Sequence, residues 1–216
     1  MTFARACSTV SNRLLRQPGD SQMIFSDTVS TCRHYDRGIF IPTAPDQLLK
    51  VEEGVVAQLV VHSDGAEVLL GFYGPGQLIV PHPTDSCYIY YRAHTDVTAH
   101  ALAWSEAHNL PGLVDQLRAR IWQQEAWTAL QAHPANEERL LGFLTLLTEQ
   151  FGRATENGTL LDLRITHQQL ASAIGVTRPT ITRLISILRR RQLLSTVGVG
   201  NQERFLLHHK TQTTHS

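Results

Sequence analysis

The spacing of apolar positions changes character along the chain. From about Ile24 to Trp104 they fall in short β-branched or aromatic runs broken by Gly, Pro and Asp. IFIP, LLKVEEGVVAQLVVH, AEVLLGFYGPGQLIV, CYIYYRAH and VTAHALAW each read as strands or strand pairs. Ser63-Asp64-Gly65 is a hairpin signal, and Gly54, Gly71, Gly74 and Gly76 suit corners. Strands at this spacing predict an antiparallel roll or barrel. From about Glu106 the period becomes helical and stays so. Leu110, Val114, Leu117 and Ile121 repeat at intervals of 4, 3 and 4, the a/d spacing of a two-helix seam, and Gln124 and Thr128 continue it in polar form. Trp122 and Trp127 lie off that seam and are expected to pack on the roll. Pro134 ends the helix. A second follows, with Leu140, Leu141, Leu144 and Leu147 as its buried face and Phe151-Gly152 as its stop, the glycine serving as a left-handed cap. Asn157-Gly158 then turns into a strand, LLDLRI.

Next come two short helices joined by one glycine. Thr166 and Gln169 have the spacing of a capping box, Leu170, Ala171 and Ile174 form an apolar stripe, and Gly175 sits where a left-handed residue stops the helix. Thr177 caps the next helix and Pro179 falls in its first turn, where a missing amide hydrogen costs little. At 3.6 residues per turn Ile181, Leu184, Ile185 and Leu188 share one buried face, while Pro179, Thr182, Arg183, Ser186 and Arg190 point the other way. This pattern fits a helix-turn-helix whose second helix enters a major groove, and equally an ordinary helical hairpin with a solvated basic face. After Arg191, LLSTVGVGNQERFLLHH reads as two strands around a Gly-rich turn, a wing.

Charge separates those two readings. The 216 residues hold 19 Lys and Arg against 19 Asp and Glu, so the bulk balance names no partner. Residues 164–216, however, carry eight Lys or Arg against the single acid Glu203, leaving them at +7 and the remainder at −7. A solvated surface has no reason to segregate charge in this way; a phosphate backbone as partner supplies one. No apolar run approaches the roughly 18 residues of a membrane span. The first 20 residues lack the continuous apolar core of a signal peptide, so a cytoplasmic protein with a loosely ordered start is expected. Cys7, Cys32 and Cys87 are odd in number and widely separated, which suits reduced thiols rather than a zinc or iron-sulfur set. Of 11 histidines, His82, His94 and His100 fall in or near strands, open to reading as scattered surface residues or as a haem or metal sensor. An enzyme built on the roll in the manner of cupins needs an H-x-H pair, and the chain has none. The Leu110 to Thr128 stripe can pack on its own roll or pair with a second copy. A palindromic site requires a twofold protein, which favours a homodimer.

A β-roll, a long helix and a winged helix in that order, with ITHQQLASAIGVTRPTITRLISILRRRQLL as signature, resembles the Crp/Fnr family of bacterial transcription regulators. The resemblance spans nearly the whole chain. In the last 80 residues it is nearest to the cyanobacterial nitrogen-regulator (NtcA-type) branch, on TR-x-TITRLI and on the RIWQQE, RLLGFL and FG runs. It implies an α+β fold: an N-terminal segment (1–23), a sensor-like antiparallel β-roll of the cyclic-nucleotide-binding jelly-roll type (24–106), a dimerisation helix (107–133) and a winged helix-turn-helix DNA-binding domain (134–216). It also implies a non-enzymatic, effector-responsive homodimer that binds palindromic promoter DNA and contacts RNA polymerase. The alternative is a small-molecule-binding protein or metal-dependent enzyme on the roll, its winged helix serving protein interaction.

The family's base-reading positions carry over to Arg178, Pro179 and Arg183. The middle one is acidic in the family's enteric catabolite activator; Pro179 cannot make its hydrogen bond, so a GTA…TAC-like palindrome of the nitrogen-regulator type is expected. Arg183 is placed to bond a guanine bidentately, Pro179 and the Thr182 methyl to touch a thymine methyl, and Gln168, Arg178 and Arg190 to meet phosphates beside Thr177. Cyclic-nucleotide sensors hold their ligand with a Gly-Glu and an Arg-Ser pair. Neither stands in GPGQLIVPHPTDSCYIYY, whose Gly76, Gln77, Leu78 and Ile79 occupy the effector stretch, so cyclic AMP is disfavoured. The branch's 2-oxoglutarate site uses an Arg and a Glu that match Arg120 and Glu125, while its anchoring Arg on the roll falls at Cys87, with Arg92 the nearest substitute. Arg120 and Glu125 read equally as an ion pair across a dimer. No cofactor is assigned beyond 2-oxoglutarate as the candidate that the resemblance brings.

Overall fold

The computed structural model describes residues 31–63, 65–81, 89–107, 109–198 and 203–208. The segment 1–23, Cys7, Asp64, His82, Cys87 and the tip of the wing at 199–202 lie outside the described residues. Two compact units divide the chain: one takes in the described residues up to Val60 together with Gly71–Gln116, the other Val61–Leu70 and the chain from Leu117 onward.

The alternating runs of the N-terminal half form eight strands: β1 (Thr31–Tyr35), β2 (Phe40–Ile41), β3 (Gln47–Glu53), β4 (Val56–Val61), β5 (Glu67–Tyr73), β6 (Leu78–Ile79), β7 (Ile89–Ala93) and β8 (Val97–Ala103). They assemble into two four-stranded sheets in the orders β1-β8-β3-β6 and β2-β7-β4-β5. The β1–β8, β3–β8, β3–β6, β2–β7 and β4–β7 pairings are antiparallel. Because successive side chains on a strand point to opposite faces, each sheet can turn one apolar row inward. Leu49, Val51, Ile79, Val97, Ala99 and Ala101 from one sheet meet Ile41, Val56, Tyr73, Tyr91 and Ala93 from the other in a single core. Strand β1, TCRHY, carries too few apolar residues to announce itself and is held by its full register against β8. Between β4 and β5, where a hairpin is expected, the His62 amide donates to the Ala66 carbonyl at 2.9 Å. Gly71 lies inside β5, so it is no corner.

The helical half departs from the expected continuous run. A four-residue helix α1 (Trp104–Ala107) comes first, then a turn, and the long helix α2 (Leu113–Ala132) starts only after Pro111-Gly112. Pro111 has no amide hydrogen with which to continue a helix. Leu110 therefore sits in the turn before α2, off the helix that carries Val114, Leu117, Ile121, Gln124 and Thr128. Helix α3 (Asn136–Phe151) buries Leu140, Phe143, Leu144 and Leu147. Gly152 ends α3 in an extended conformation, φ −85° and ψ 148°, not as a left-handed cap, because the chain passes straight into strand β9 (Gly152–Thr155). Strand β9 forms a hairpin with β10 (Gly158–Leu161), which stops four residues short of the expected LLDLRI strand's end at Ile165. Trp127 packs edge-on against Phe143 of α3, ring centroids 4.3 Å apart, and Trp122 is 59% exposed with the Arg118 guanidinium 4.9 Å over its ring. Phe143, on the buried face of α3, is thus the aromatic partner of Trp127.

Helices α4 (His167–Ile174) and α5 (Arg178–Arg190) follow, then the wing strands β11 (Leu194–Val197) and β12 (Arg204–His208). The strands join β10 and β9 in a sheet of order β11-β12-β10-β9. The molecule is thus α+β, a β-roll followed by helices and a winged helix-turn-helix.

Candidate nucleic-acid interface

The reading unit is built from its caps upward. Thr166 Oγ1 accepts from the Gln169 amide at 3.1 Å, and Gln169 Oε1 accepts from the Thr166 amide at 2.9 Å, so the reciprocal box starts α4 where the sequence placed it. Gly175 ends α4 at φ 70°, ψ 39°, and its amide donates to the Ala171 carbonyl. A left-handed residue here turns the chain within a few residues into α5, and glycine takes that conformation without the clash a Cβ brings. Thr177 caps α5 through the Thr180 amide, and Pro179 stands in the first turn.

Helix α5 has two faces. Ile181, Leu184, Ile185 and Leu188 are buried, at 0, 5, 2 and 0% exposure, against α3 and α4. Arg178, Pro179, Thr182, Arg183, Ser186 and Arg190 are all exposed, as are Gln168 on α4 and Thr177 at the cap. The basic residues of the unit divide by what they touch. Arg189 is spent on Glu203 at 2.7 Å and Thr196 at 2.6 Å, tying α5 to the wing. Arg191 pairs with Glu137 of α3, and Arg204 with Asp162. Among the described residues, Arg178, Arg183 and Arg190 form no ion pair, so three guanidinium groups face outward uncompensated. Such a face, cationic and carried on a helix seated on an apolar bed, can enter a major groove and bond phosphates and base edges.

Sequence reasoning passed over His167. Its Nδ1 lies 3.1 Å from Thr182 Oγ1, bridging the first residue of α4 to the outward face of α5. Burial, the largest influence, holds its pKa below 6.5; Glu203 works to raise it, and Arg178 and Arg189 to lower it. A histidine beside a capping threonine carries no periodic signal, so only the fold could reveal the bridge.

The effector residues fall on different elements. Gly76 and Gln77 lie at the turn that leads into β6, which Leu78 and Ile79 form, and their polar groups are used within the roll: the Gly76 amide donates to the Val51 carbonyl at 2.7 Å, and Gln77 Oε1 accepts from the Gly74 amide at 2.7 Å. Leu78 and Ile79 are buried. Arg120 and Glu125 stand on α2, on an open surface shared with Ile121, Gln124, Thr128, Ala129 and Ala132. Arg120 Nη1 donates to Gln123 Oε1 at 2.9 Å. Tyr91, the neighbour of Arg92, is buried, which puts Arg92 on the opposite face of β7, with its guanidinium 4.6 Å over the ring of Phe40, itself 54% exposed. Of the other candidate sensing residues, His94 packs edge-on against Phe72 at 5.0 Å, and Cys32 stands half-buried on β1. Among the described residues no group of three His, Cys, Asp or Glu is arranged to hold a metal, and no helix is long and apolar enough to cross a membrane.

Comparison with known proteins agrees with this geometry. Residues 138–209 match the Crp-like helix-turn-helix domain. The global nitrogen regulator of Synechococcus elongatus is 30% identical over 178 residues, covering 74% of this chain and 80% of that protein. The global nitrogen regulator of a Nostoc species is 40% identical over 79 residues, 37% of this chain and 35% of that protein. Among solved structures, FixK2 from Bradyrhizobium japonicum shares the fold with a TM-score of 0.68 at 19% identity, over 84% of this chain and 93% of that one. With a capped helix pair, an outward basic face and a global nitrogen regulator matched over 80% of its length, the chain belongs to the Crp/Fnr family of DNA-binding transcription regulators.

Proposed function

We propose that this regulator acts as a cytoplasmic, non-enzymatic homodimer on a palindromic, GTA…TAC-like promoter site, with RNA polymerase as its partner in transcription and nitrogen status as its signal. The observation that carries the DNA-reading part is the outward face of α5, where Arg178, Arg183 and Arg190 stand uncompensated opposite a fully buried stripe. Arg183 reads a guanine, Pro179 and the Thr182 methyl meet a thymine methyl, and Arg178, Arg190, Gln168 and Thr177 engage the backbone. The twofold reading is supported by α2, which buries none of its residues in the single chain and leaves Val114 69% and Ile121 56% exposed along one stripe. A second copy laid along Val114, Leu117, Ile121, Gln124 and Thr128 covers that stripe. Leu110, off the helix, extends the contact only from its turn. The nitrogen signal rests on the similarity to global nitrogen regulators.

Fluorescence anisotropy with a GTA…TAC duplex, a scrambled duplex and a salt series tests the proposal. Preference for the palindrome together with a steep loss of affinity with salt is expected; equal affinity for both duplexes overturns the base-reading roles. Calorimetry with 2-oxoglutarate tests Arg120 and Glu125 as effector ligands. Heat at millimolar ligand that disappears in Arg120→Ala supports them, and no heat leaves the two residues as a structural pair.

A further inference from the structure

The last carbonyls of a helix have no amide of their own helix to accept from and need outside donors. At the end of α4 the Ala171 carbonyl is taken by the Gly175 and Val176 amides. The next carbonyls in need are met by side chains from two other helices: Gln131 of α2 donates its Nε2 to the Ala173 carbonyl, and Arg139 of α3 donates Nη1 to the Ile174 carbonyl at 3.0 Å. Arg139 is itself aimed by Asn136, whose Oδ1 accepts from Nη2. A cation at this end also matches the negative pole of the helix dipole. The joint between α2 and α3 is filled as well, since Leu130 packs directly over Gly142 and Trp127 lies edge-on to Phe143.

Gln131 lies seven residues after Gln124 and fourteen after Leu117, so it continues the same position of the seam repeat. Its side chain is spent on α4 instead. The long helix therefore passes, within its last turn, from the stripe offered to a second copy to a contact with the reading unit.

We infer that Gln131 and Arg139 are positioning residues for DNA recognition: they fix the angle of α4, and with it α5, relative to α2, and so set the separation of half-sites that a dimer accepts. The inference rests on the twofold reading proposed above. It requires that loosening either bond affects spacing selectivity while leaving recognition of one half-site intact, because neither residue lies on the outward face of α5.

The test uses the full-length protein with Gln131→Ala, Arg139→Gln and Arg139→Lys. Binding is measured on palindromic duplexes whose half-site separation varies in single base-pair steps, and on a duplex with one half-site. The parent protein is expected to prefer one separation. Gln131→Ala and Arg139→Gln should reduce the ratio between the best and the next separation by about tenfold, the size expected for loss of a hydrogen bond at a helix end. Single half-site binding and the dimer's elution volume should be unchanged, and Arg139→Lys, which keeps a donor, should restore part of the ratio. Gln131 is exposed, so its variant decides the matter even where Arg139→Gln fails to fold. A dimer whose variants keep the parent ratio, with or without a uniform loss of affinity, overturns the positioning roles alone. A monomeric parent without spacing preference overturns the twofold reading and this inference with it.

Discussion

The arginines of the reading unit show how far single residues were legible. Their number and segregation follow from the sequence, but which of them are free does not. Arg189, Arg190 and Arg191 are adjacent, yet only Arg190 faces solvent uncompensated, because Glu203 and Glu137 are brought to its neighbours from the wing and from α3. Replacing Arg183 with Ala should cost about 1–3 kcal/mol of discrimination between the palindrome and a duplex altered at the guanine. Arg190→Ala should weaken both duplexes equally and reduce the salt slope, both changes measured by anisotropy. His167 gives a pH dependence. With its folded pKa held below 6.5 by burial, the unfolded chain binds more protons in the interval between the two values. Stability should therefore fall as pH drops through 6.5 toward the folded value and be insensitive to this residue above 6.5. Urea midpoints at about pH 7.5 and about pH 5.5 should differ less in His167→Gln than in the parent protein.

Elements were legible in proportion to the strength of their periodicity and end signals. Helices α4 and α5 carry caps, a turn glycine and unbroken stripes, and the structure reproduces all of them. Elements that depend on partners were not legible: β1 and β9 are short and polar, and exist because β8 and β10 offer them a register. Phe143 as the ring partner of Trp127 was not legible either, since periodicity names a face but not what covers it. Two glycines distinguish kinds of constraint. Gly175 has positive φ but open space where a Cβ would go, so Gly175→Ala should cost only backbone strain, about 1–2 kcal/mol. At Gly158 the added Cβ would overlap the backbone carbonyl of Leu207 on β12, so Gly158→Ala should destabilise by more than this and open the β10–β12 ladder. Chemical denaturation ranks the two, and hydrogen exchange at Leu206 and Leu207 reports the ladder.

At the scale of the whole molecule, the proposed assembly rests on α2. A 20-residue helix with no fully buried residue in its own chain, which exposes Val114, Ile121 and Trp122, presents apolar surface that a second copy can cover. Leu117→Lys with Ile121→Lys should yield monomers on a sizing column and weaken palindrome binding by at least about a hundredfold, with single half-site binding retained. The heptad spacing is visible in the sequence, whereas the interruption at Pro111-Gly112 is masked there because Leu110 fits the repeat.

The pairing of Arg189, Arg191 and Arg204 with acids of the same unit has a consequence for how tightly the protein holds any duplex. Those side chains already have counterions built into the fold, so they displace few sodium or potassium ions when nucleic acid arrives. The response of affinity to ionic strength should accordingly track the outward arginines rather than the formal surplus of positive charge, leaving the regulator less sensitive to changes in cellular osmolarity than its composition implies.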